Sequence, residues 1–231
     1  MLRSAGGVAY TLIQSARSSI RMSVSESGDV RVYAPKRMRL RDIDAFVAAH
    51  CADVIRMEEN VAARRQLFES GHPLEDGAQL MVQGRLVTLR VRQAGRGSAQ
   101  LAGDELRIAA TETDRESVRA KIRQALSAEE LILIRRLIAI HAPALGVTPG
   151  RVAIREQKSR WGSCSSKGNL NFNWTLMLAP PEALEYVVIH ELCHLIEFNH
   201  SPRFWRLVES RMPDYELPKK WLKQNAEKLK I

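Results

Sequence analysis

The sequence predicts an α+β fold, in which strands dominate the first half and helices the second. Residues 1–110 hold short segments of alternating apolar and polar character separated by turn residues, the pattern of strands. From Thr113 onward, apolar residues recur three and four positions apart, as on one face of a helix. We therefore expect two domains: a β-rich N-terminal region with one long helix over residues 1–112, and a second domain over residues 113–231.

The N-terminal region opens with segments rich in β-branched and aromatic residues. We expect these to form a β-meander that ends at Pro35, with strands over residues 10–13, 20–24 and 30–34. Residues 40–61 then carry one amphipathic helical pattern, so a single helix is predicted there.

The rest of the N-terminal region is predicted to be mostly β-sheet. A hairpin is predicted over residues 78–91, around Gly84-Arg85. Residues 93–104 are rich in glycine and predict a turn, and a further strand follows over 106–110.

The second domain opens with a long predicted helix that starts at Thr113 and is stopped by Pro143 and Gly146. Strands are predicted over residues 152–155 and 169–178. Pro180-Pro181 then favours the start of a helix from Glu182, because proline suits the first helical position.

Charge and composition narrow the classes of function. The chain has 35 Lys and Arg against 26 Asp and Glu, a net charge of +9, and residues 115–231 hold 19 basic and 12 acidic side chains, hence +7. Such an excess attracts nucleic acid, an anionic substrate or an acidic protein, and its sign does not choose among them. No apolar run approaches the roughly 18 residues of a membrane span. Three irregularly spaced cysteines argue against a disulfide framework and favour a reducing, cytoplasmic location.

The last long predicted helix contains the pattern H-E-x-x-H at His190-Glu191-Leu192-Cys193-His194. Residues four apart lie on the same helix face, so both imidazoles can bind one Zn²⁺ while Glu191 points toward a metal-bound water. Two imidazoles and a carboxylate facing a core would be costly without a partner, so a zinc site is the better reading than an ordinary buried helix.

A catalytic zinc takes three protein ligands and keeps one position open, so a third ligand is needed. His200 qualifies, because it follows His194 by six residues, as in H-E-x-x-H-x-x-G-x-x-H proteins. Glu197 stands where that longer motif has glycine. The residues thus predict Zn²⁺ on His190, His194 and His200, with Glu191 as the general base for hydrolysis.

A polar cluster precedes this helix. Residues 169–174 alternate, with Asn171 and Asn173 on one face, and residues 161–163, Trp161-Gly162-Ser163, lie just upstream. One interpretation is an edge strand that binds substrate by main-chain pairing, with Trp161, Gly162 and Ser163 forming the cleft floor. The other is a hairpin that only covers the core, and the residues alone do not separate the two.

These motifs together resemble a known family. The segments Arg160-Trp161-Gly162-Ser163-Cys164-Ser165, Asn173-Trp174, the H-E-x-x-H helix and Asn199-His200-Ser201-Pro202-Arg203-Phe204-Trp205, in this order, resemble the YgjP-like metallopeptidase domain. The resemblance is motif by motif over residues 155–221 and looser over the front of the chain. It extends distantly to the SprT and WLM proteases. In those families a histidine followed after a short gap by phenylalanine completes the zinc site, and His200 and Phe204 match that pair here.

The resemblance implies a minimal zincin fold of gluzincin-like type, zinc on the same three histidines, and Glu191 as the catalytic carboxylate acting on a polypeptide. It also implies two alternatives, a nucleotide (UTP-type) pyrophosphatase and a DNA-associated SprT-like protease. The chain holds no G-x-x-x-x-G-K-[ST] loop, which counts against the first alternative. Four side chains could stabilise an oxyanion, and the sequence does not select among them: Tyr186, Tyr215, Arg160 and His141.

Overall fold

The fold is that of a computed structural model, which describes residues 1–15, 19–25, 28–59 and 73–231. It is a mixed α+β structure of two compact units, Met1–Gln66 and Leu67–Ile231. This division differs from the expected boundary at residue 112. The reason is that the sheet over residues 79–110 buries Leu89 and Ile108 in the same core as Ile122 of the following long helix.

The first unit contains a four-stranded sheet of strand order β1-β2-β4-β3. Its strands are β1 (Leu2–Ala5), β2 (Val8–Ser15), β3 (Arg21–Val24) and β4 (Val30–Pro35). The predicted meander is wrong, because β4 folds back as a hairpin with β3 and then pairs parallel with β2. This arrangement makes β4 a central strand with Val30 and Val32 buried.

The single helix predicted over residues 40–61 is also wrong, because α1 (Leu40–Ala49) ends at His50 and a second helix, α2, covers residues 51–59. His50 leaves the helical region at φ −116° and ψ 22°, and its Nδ1 lies 2.8 Å from the carbonyl oxygen of Phe46. Residues 60–61 lie outside the described residues. Ile43 and Val47 of α1 pack on the sheet residues Tyr10 and Leu12.

The second unit begins with another four-stranded sheet, of order β5-β6-β8-β7. Its strands are β5 (Gln79–Val82), β6 (Arg85–Gln93), β7 (Ser98–Ala102) and β8 (Glu105–Ala110). The predicted hairpin is confirmed, with Gln83 and Gly84 both at positive φ in a two-residue turn. Strand β7 falls in the segment predicted to be a turn.

The long helix is confirmed as α3 (Arg115–Leu145). Asp114 caps its N-terminus by accepting from the backbone N–H groups of Glu116 and Ser117. Gly146 ends it in the left-handed conformation at φ 67°, so the glycine rather than Pro143 is the stop.

A third sheet, of order β10-β11-β9, follows α3. It comprises β9 (Val152–Arg155), β10 (Gly162–Cys164) and β11 (Leu170–Asn173). Strand β11 is antiparallel to β10 and parallel to β9, so the expectation of an edge strand at 169–174 is wrong. The strand is also shorter than predicted, since a 3-10 helix begins at Trp174 and runs to Leu178.

The chain ends in a set of helices around the buried helix α4 (Pro181–Cys193). The others are α5 (Pro202–Arg211), α6 (Glu216–Asn225) and a 3-10 helix (Glu227–Leu229). In the described part of the chain, no helix has both the length and the apolar character to cross a membrane. Cys51, Cys164 and Cys193 are all free thiols.

Candidate metal centre

Helix α4 presents His190 and Glu191, and His194 follows as its C-terminal cap with helical backbone angles. The helix starts with Pro181 at its first turn and buries its apolar side in the core of the second unit. The N–H of His194 donates to the carbonyl oxygen of His190, so the two imidazoles lie one turn apart.

His200 reaches the same place from the loop between α4 and α5. Ser201 caps α5 by accepting a hydrogen bond from the N–H of Phe204 at 3.3 Å, and Pro202 occupies the first helical turn. This cap anchors the end of the loop, and His200 immediately precedes it.

The three imidazoles converge through their Nε2 atoms. His190 Nε2 lies 3.2 Å from His194 Nε2 and 3.0 Å from His200 Nε2. In a tetrahedral zinc site, with Zn–N distances near 2.05 Å, ligand nitrogens stand about 3.3 Å apart, so the spacing fits such an ion. Within the described ranges, these histidines form the only cluster of His, Cys, Asp and Glu able to hold a metal ion.

Burial favours the neutral state, which a metal ion requires, in two of the three imidazoles. Burial lowers the pKa of His190 to about 3, assisted by the neighbouring imidazoles and Lys219, and burial also lowers the pKa of His194. His194 donates from Nδ1 to the carbonyl oxygen of Glu197 at 3.1 Å, which leaves its Nε2 lone pair free. The hydroxyl of Tyr186 lies 3.5 Å from Nδ1 of His190.

Glu191 is 5% exposed and its Oε2 has no hydrogen-bond partner among the described residues. Burial raises its pKa to about 8, and the exposed guanidinium of Arg160 partly opposes that shift. A Cβ atom added to Gly162 of β10 would lie 2.6 Å from Glu191 Oε1, so the strand backbone touches the carboxylate. The site therefore combines a poorly solvated carboxyl group, one oxygen of which has no partner among the described residues, with three imidazole nitrogens that could hold a metal ion.

Phe204 forms the floor of the centre. Its ring, fully buried on α5, lies with its centroid 4.6–4.8 Å from the ring centroids of all three histidines. An apolar floor excludes water from one side of the imidazoles.

The remaining predicted site residues fall on the third sheet. Trp161 adjoins β10, and Gly162 and Ser163 belong to it; β10 pairs only with β11 among the described strands and so is an edge. Asn173 is buried and its Nδ2 donates to the carbonyls of Gln157 and Arg160, which holds the segment leading into β10. Asn171 Nδ2 donates to Ser163 Oγ at 3.3 Å.

Three of the four candidate oxyanion donors contact other side chains. His141 Nε2 lies 3.1 Å from Glu185 Oε1, and its Nδ1 lies 3.4 Å from Arg211. Tyr186 faces His190, and the Tyr215 ring stacks on Trp205. Arg160 is exposed and forms no ion pair with any described residue.

Sequence reasoning assigned no role to Trp205 in holding the histidines, although its ring stacks on His200 with centroids 5.6 Å apart. The sequence did carry a signal for this contact, because Trp205 lies in the first turn of a helix five positions after the candidate ligand His200.

A family model described as "YgjP-like, metallopeptidase domain" matches residues 18–225. The chain is similar to the crystal structure of the metallopeptidase zymogen abylysin of Pyrococcus abyssi, with 26% identity and a TM-score of 0.38 over 41% of this chain and 95% of that one. It is also similar to the metallopeptidase zymogen jannalysin of Methanocaldococcus jannaschii, with 20% identity and a TM-score of 0.36 over 40% and 96%. No curated protein matches.

Proposed function

The chain belongs to the YgjP-like metallopeptidase family and is a hydrolase, and from this premise we propose that it cleaves peptide bonds with a zinc ion held by His190, His194 and His200. We further propose that the second unit has a minimal zincin fold of gluzincin-like type, with α4 as its H-E-x-x-H helix. The family implies a divalent metal ion, and the all-imidazole donor set favours zinc.

One observation carries the proposal: three imidazole nitrogens meet at the end of the helix whose Glu191 is buried, and Glu191 Oε2 has no hydrogen-bond partner among the described residues. Buried polar atoms are normally hydrogen-bonded, and an unpaired one needs an explanation. A reacting water molecule beside Glu191 supplies the missing partner.

The chemistry divides between ion and protein. A zinc ion bound there would lower the pKa of a coordinated water toward about 7 and polarise the substrate carbonyl. Glu191 accepts the proton of the attacking water at Oε2 and then delivers it to the leaving amine. Its burial suits the second half of this role, because a raised pKa favours the protonated form of Glu191, which is the form that delivers the proton to the leaving amine.

The edge strand β10 is the proposed binding site for the polypeptide. Its backbone touches Glu191, and an extended peptide pairing with its free edge would run past the carboxylate. Trp161, Gly162 and Ser163 would then contact the substrate directly. Asn171 and Asn173 would act indirectly, because they hydrogen-bond to Ser163 and to the segment that precedes β10.

Arg160 is the proposed donor to the tetrahedral oxyanion. It stands two residues before Gly162, its positive charge lowers the pKa of Glu191, and it forms no close ion pair with a described residue. Loss of one such donor typically costs about 100-fold in kcat, so Arg160→Gln should lower kcat by that order with a smaller effect on KM.

Glu191→Gln tests the proposed function. The variant should retain about one zinc per chain, measured by metal analysis, yet lose cleavage of casein, because an amide cannot accept the proton. Glu182→Gln makes the same change in the first turn of the same helix and should leave both quantities unchanged.

Casein cleavage by Glu191→Gln at the parental rate would refute the proposed base, and a parent protein without metal would refute the proposed centre. His200→Ala should lose zinc. The cytoplasmic location and any contact with nucleic acid stay predictions from composition alone.

A further inference from the structure

The three histidines are oriented by different means. His190 and His194 each have a polar atom facing Nδ1, from Tyr186 and from the Glu197 carbonyl respectively. His200 is the exposed member of the three, and within the described part of the chain its Nδ1 makes no hydrogen bond. A ligand on a loop without such a bond needs another restraint, because ring orientation decides whether Nε2 faces the ion.

An aromatic column supplies contacts of the required kind. The ring of Trp205 is stacked on His200, with centroids 5.6 Å apart and planes inclined by 24°. Tyr215 stacks on the Trp205 ring, with centroids 5.3 Å apart and planes inclined by 15°. Lys219 Nζ lies 4.0 Å from the Trp205 centroid and 5.5 Å from that of Tyr215. We name Trp205, Tyr215 and Lys219 the aromatic column.

The column connects two helices to the ligand loop. Trp205 lies on α5, Tyr215 is the N-cap of α6, and Lys219 lies on α6, where it also pairs with Glu216 at 2.8 Å. Parallel stacking restricts the tilt of a ring more than general apolar packing does, and a cation over an aromatic ring strengthens the assembly.

Core packing alone does not account for the column. Its three members are all half-buried, whereas the adjacent Phe204 is fully buried and fills the core beneath the centre. The Trp205 ring is tilted by 60° to His190, 6.0 Å away, but lies nearly parallel to His200. The column is thus aligned specifically with the ligand that lacks a hydrogen bond.

We propose that Trp205, supported by Tyr215 and Lys219, is a positioning residue that holds the His200 ring in its metal-binding orientation. The inference rests on the proposed function in one respect, namely that His200 is a ligand. It assigns metal retention at the most exposed ligand to aromatic stacking rather than to hydrogen bonding.

Zinc affinity, measured by competition with a chromophoric chelator, tests the column without reference to hydrolysis. Trp205→Leu should weaken zinc binding about tenfold or more, the range seen when outer contacts of a ligand are lost. Trp205→Phe should restore most of that affinity, because it keeps a ring against His200. Tyr215→Leu should have a smaller effect, and Lys219→Gln the smallest.

A matched control lies in the loop that carries His200, between α4 and α5. Phe198 is 61% exposed and makes no ring contact with the described residues, so Phe198→Leu should bind zinc like the parent. Cobalt substitution adds a spectroscopic readout: the visible absorption of the Co²⁺ protein should change in Trp205→Leu and return toward that of the parent in Trp205→Phe.

The outcomes separate the two proposals. A parent protein that binds no zinc refutes the proposed function itself. A parent that binds zinc, with Trp205→Leu of equal affinity and unchanged cobalt spectrum, refutes the column. If circular dichroism shows Trp205→Leu to be unfolded, Tyr215→Leu decides, and parental zinc affinity in that variant overturns the inference.

Discussion

The two four-stranded sheets have the same strand order, yet they serve different units. In each, the first two strands are antiparallel, the second and fourth are parallel, and the third and fourth form a hairpin. The first sheet, β1 to β4, is followed by the ten-residue helix α1, and the second, β5 to β8, by the 31-residue helix α3. The two sheets thus share one topology but are followed by helices of very different length.

The difference lies in what each sheet buries. All the buried polar and charged residues of the described chain belong to the second unit, and none to the first. They are Glu130, His141, Asn173, Glu191 and Asn225. The first sheet covers a small apolar core against α1, whereas the second shares its core with α3 and α4. Strand order therefore specifies a scaffold, and the chemistry depends on the helices and the third sheet.

Among the substitutions that compare the two units, Gly162→Ala should have the largest effect on activity. In Gly162→Ala, the new Cβ would lie 2.6–2.9 Å from three atoms of the Glu191 side chain, so the carboxylate must move. A displacement near 1 Å costs about 100-fold in rate, and we expect at least that loss of casein cleavage with zinc content retained.

A glycine of the first unit provides the comparison. Gly6 has φ +58°, and an added Cβ would lie 2.7 Å from Ala48 Cα, so Gly6→Ala should lower stability while the folded protein keeps its zinc and its turnover rate. Parental activity in Gly162→Ala would show that the two glycines do not differ in their effect on activity, contrary to this prediction.

Glu130 should dominate the pH dependence of stability. It is fully buried on α3, neither oxygen has a partner among the described residues, and burial raises its pKa well above the usual value. The folded protein keeps this proton while the unfolded chain loses it above about pH 4.3, so stability falls by about 1.4 kcal/mol per pH unit from there up to the folded pKa.

Glu130→Gln removes this penalty and should be more stable than the parent at pH 7. Urea denaturation at pH 7 and near pH 4 measures the difference, which should disappear at the lower pH. An advantage that is equal at both values would show that Glu130 is paired in solution.

Tyr10→Phe should have the smallest effect and should be confined to the first unit. The buried Tyr10 hydroxyl donates to Asp44 Oδ1 at 2.5 Å, and Arg3 donates to the same carboxylate, so a small polar network joins β1, β2 and α1. Loss of the Tyr10–Asp44 hydrogen bond should lower the free energy of unfolding in urea by about 1 kcal/mol, with zinc affinity unchanged. A drop in zinc affinity would mean that the units are energetically coupled.

Local signals in the sequence predicted the parts of the molecule that depend on near neighbours. The spacing of His190 and His194, the proline start of α4 and the glycine stop of α3 all act within one or two helical turns. The turn of the β5–β6 hairpin is equally local, because its two residues need positive φ.

Features that depend on distant partners were not predicted. Alternation in β11 indicates a strand but not its neighbours, and the parallel partner β9 is supplied from before the β10 hairpin. The common order of the two larger sheets leaves no visible sequence repeat, because pairing is made by backbone atoms. Trp205, Tyr215 and Lys219 meet across two helices, and no spacing along the chain indicates that contact.

The position of the centre along the chain has a consequence for the newly made protein. Every residue assigned to the centre lies between Arg160 and Lys219, after both four-stranded sheets and α3. At ribosomal speeds of about 5–20 residues per second, this stretch emerges over several seconds, once the earlier segments have been synthesised. The nascent chain therefore contains the segments of both four-stranded sheets and of α3 before it contains any histidine of the centre, and the three-histidine cluster cannot form until synthesis has passed His200.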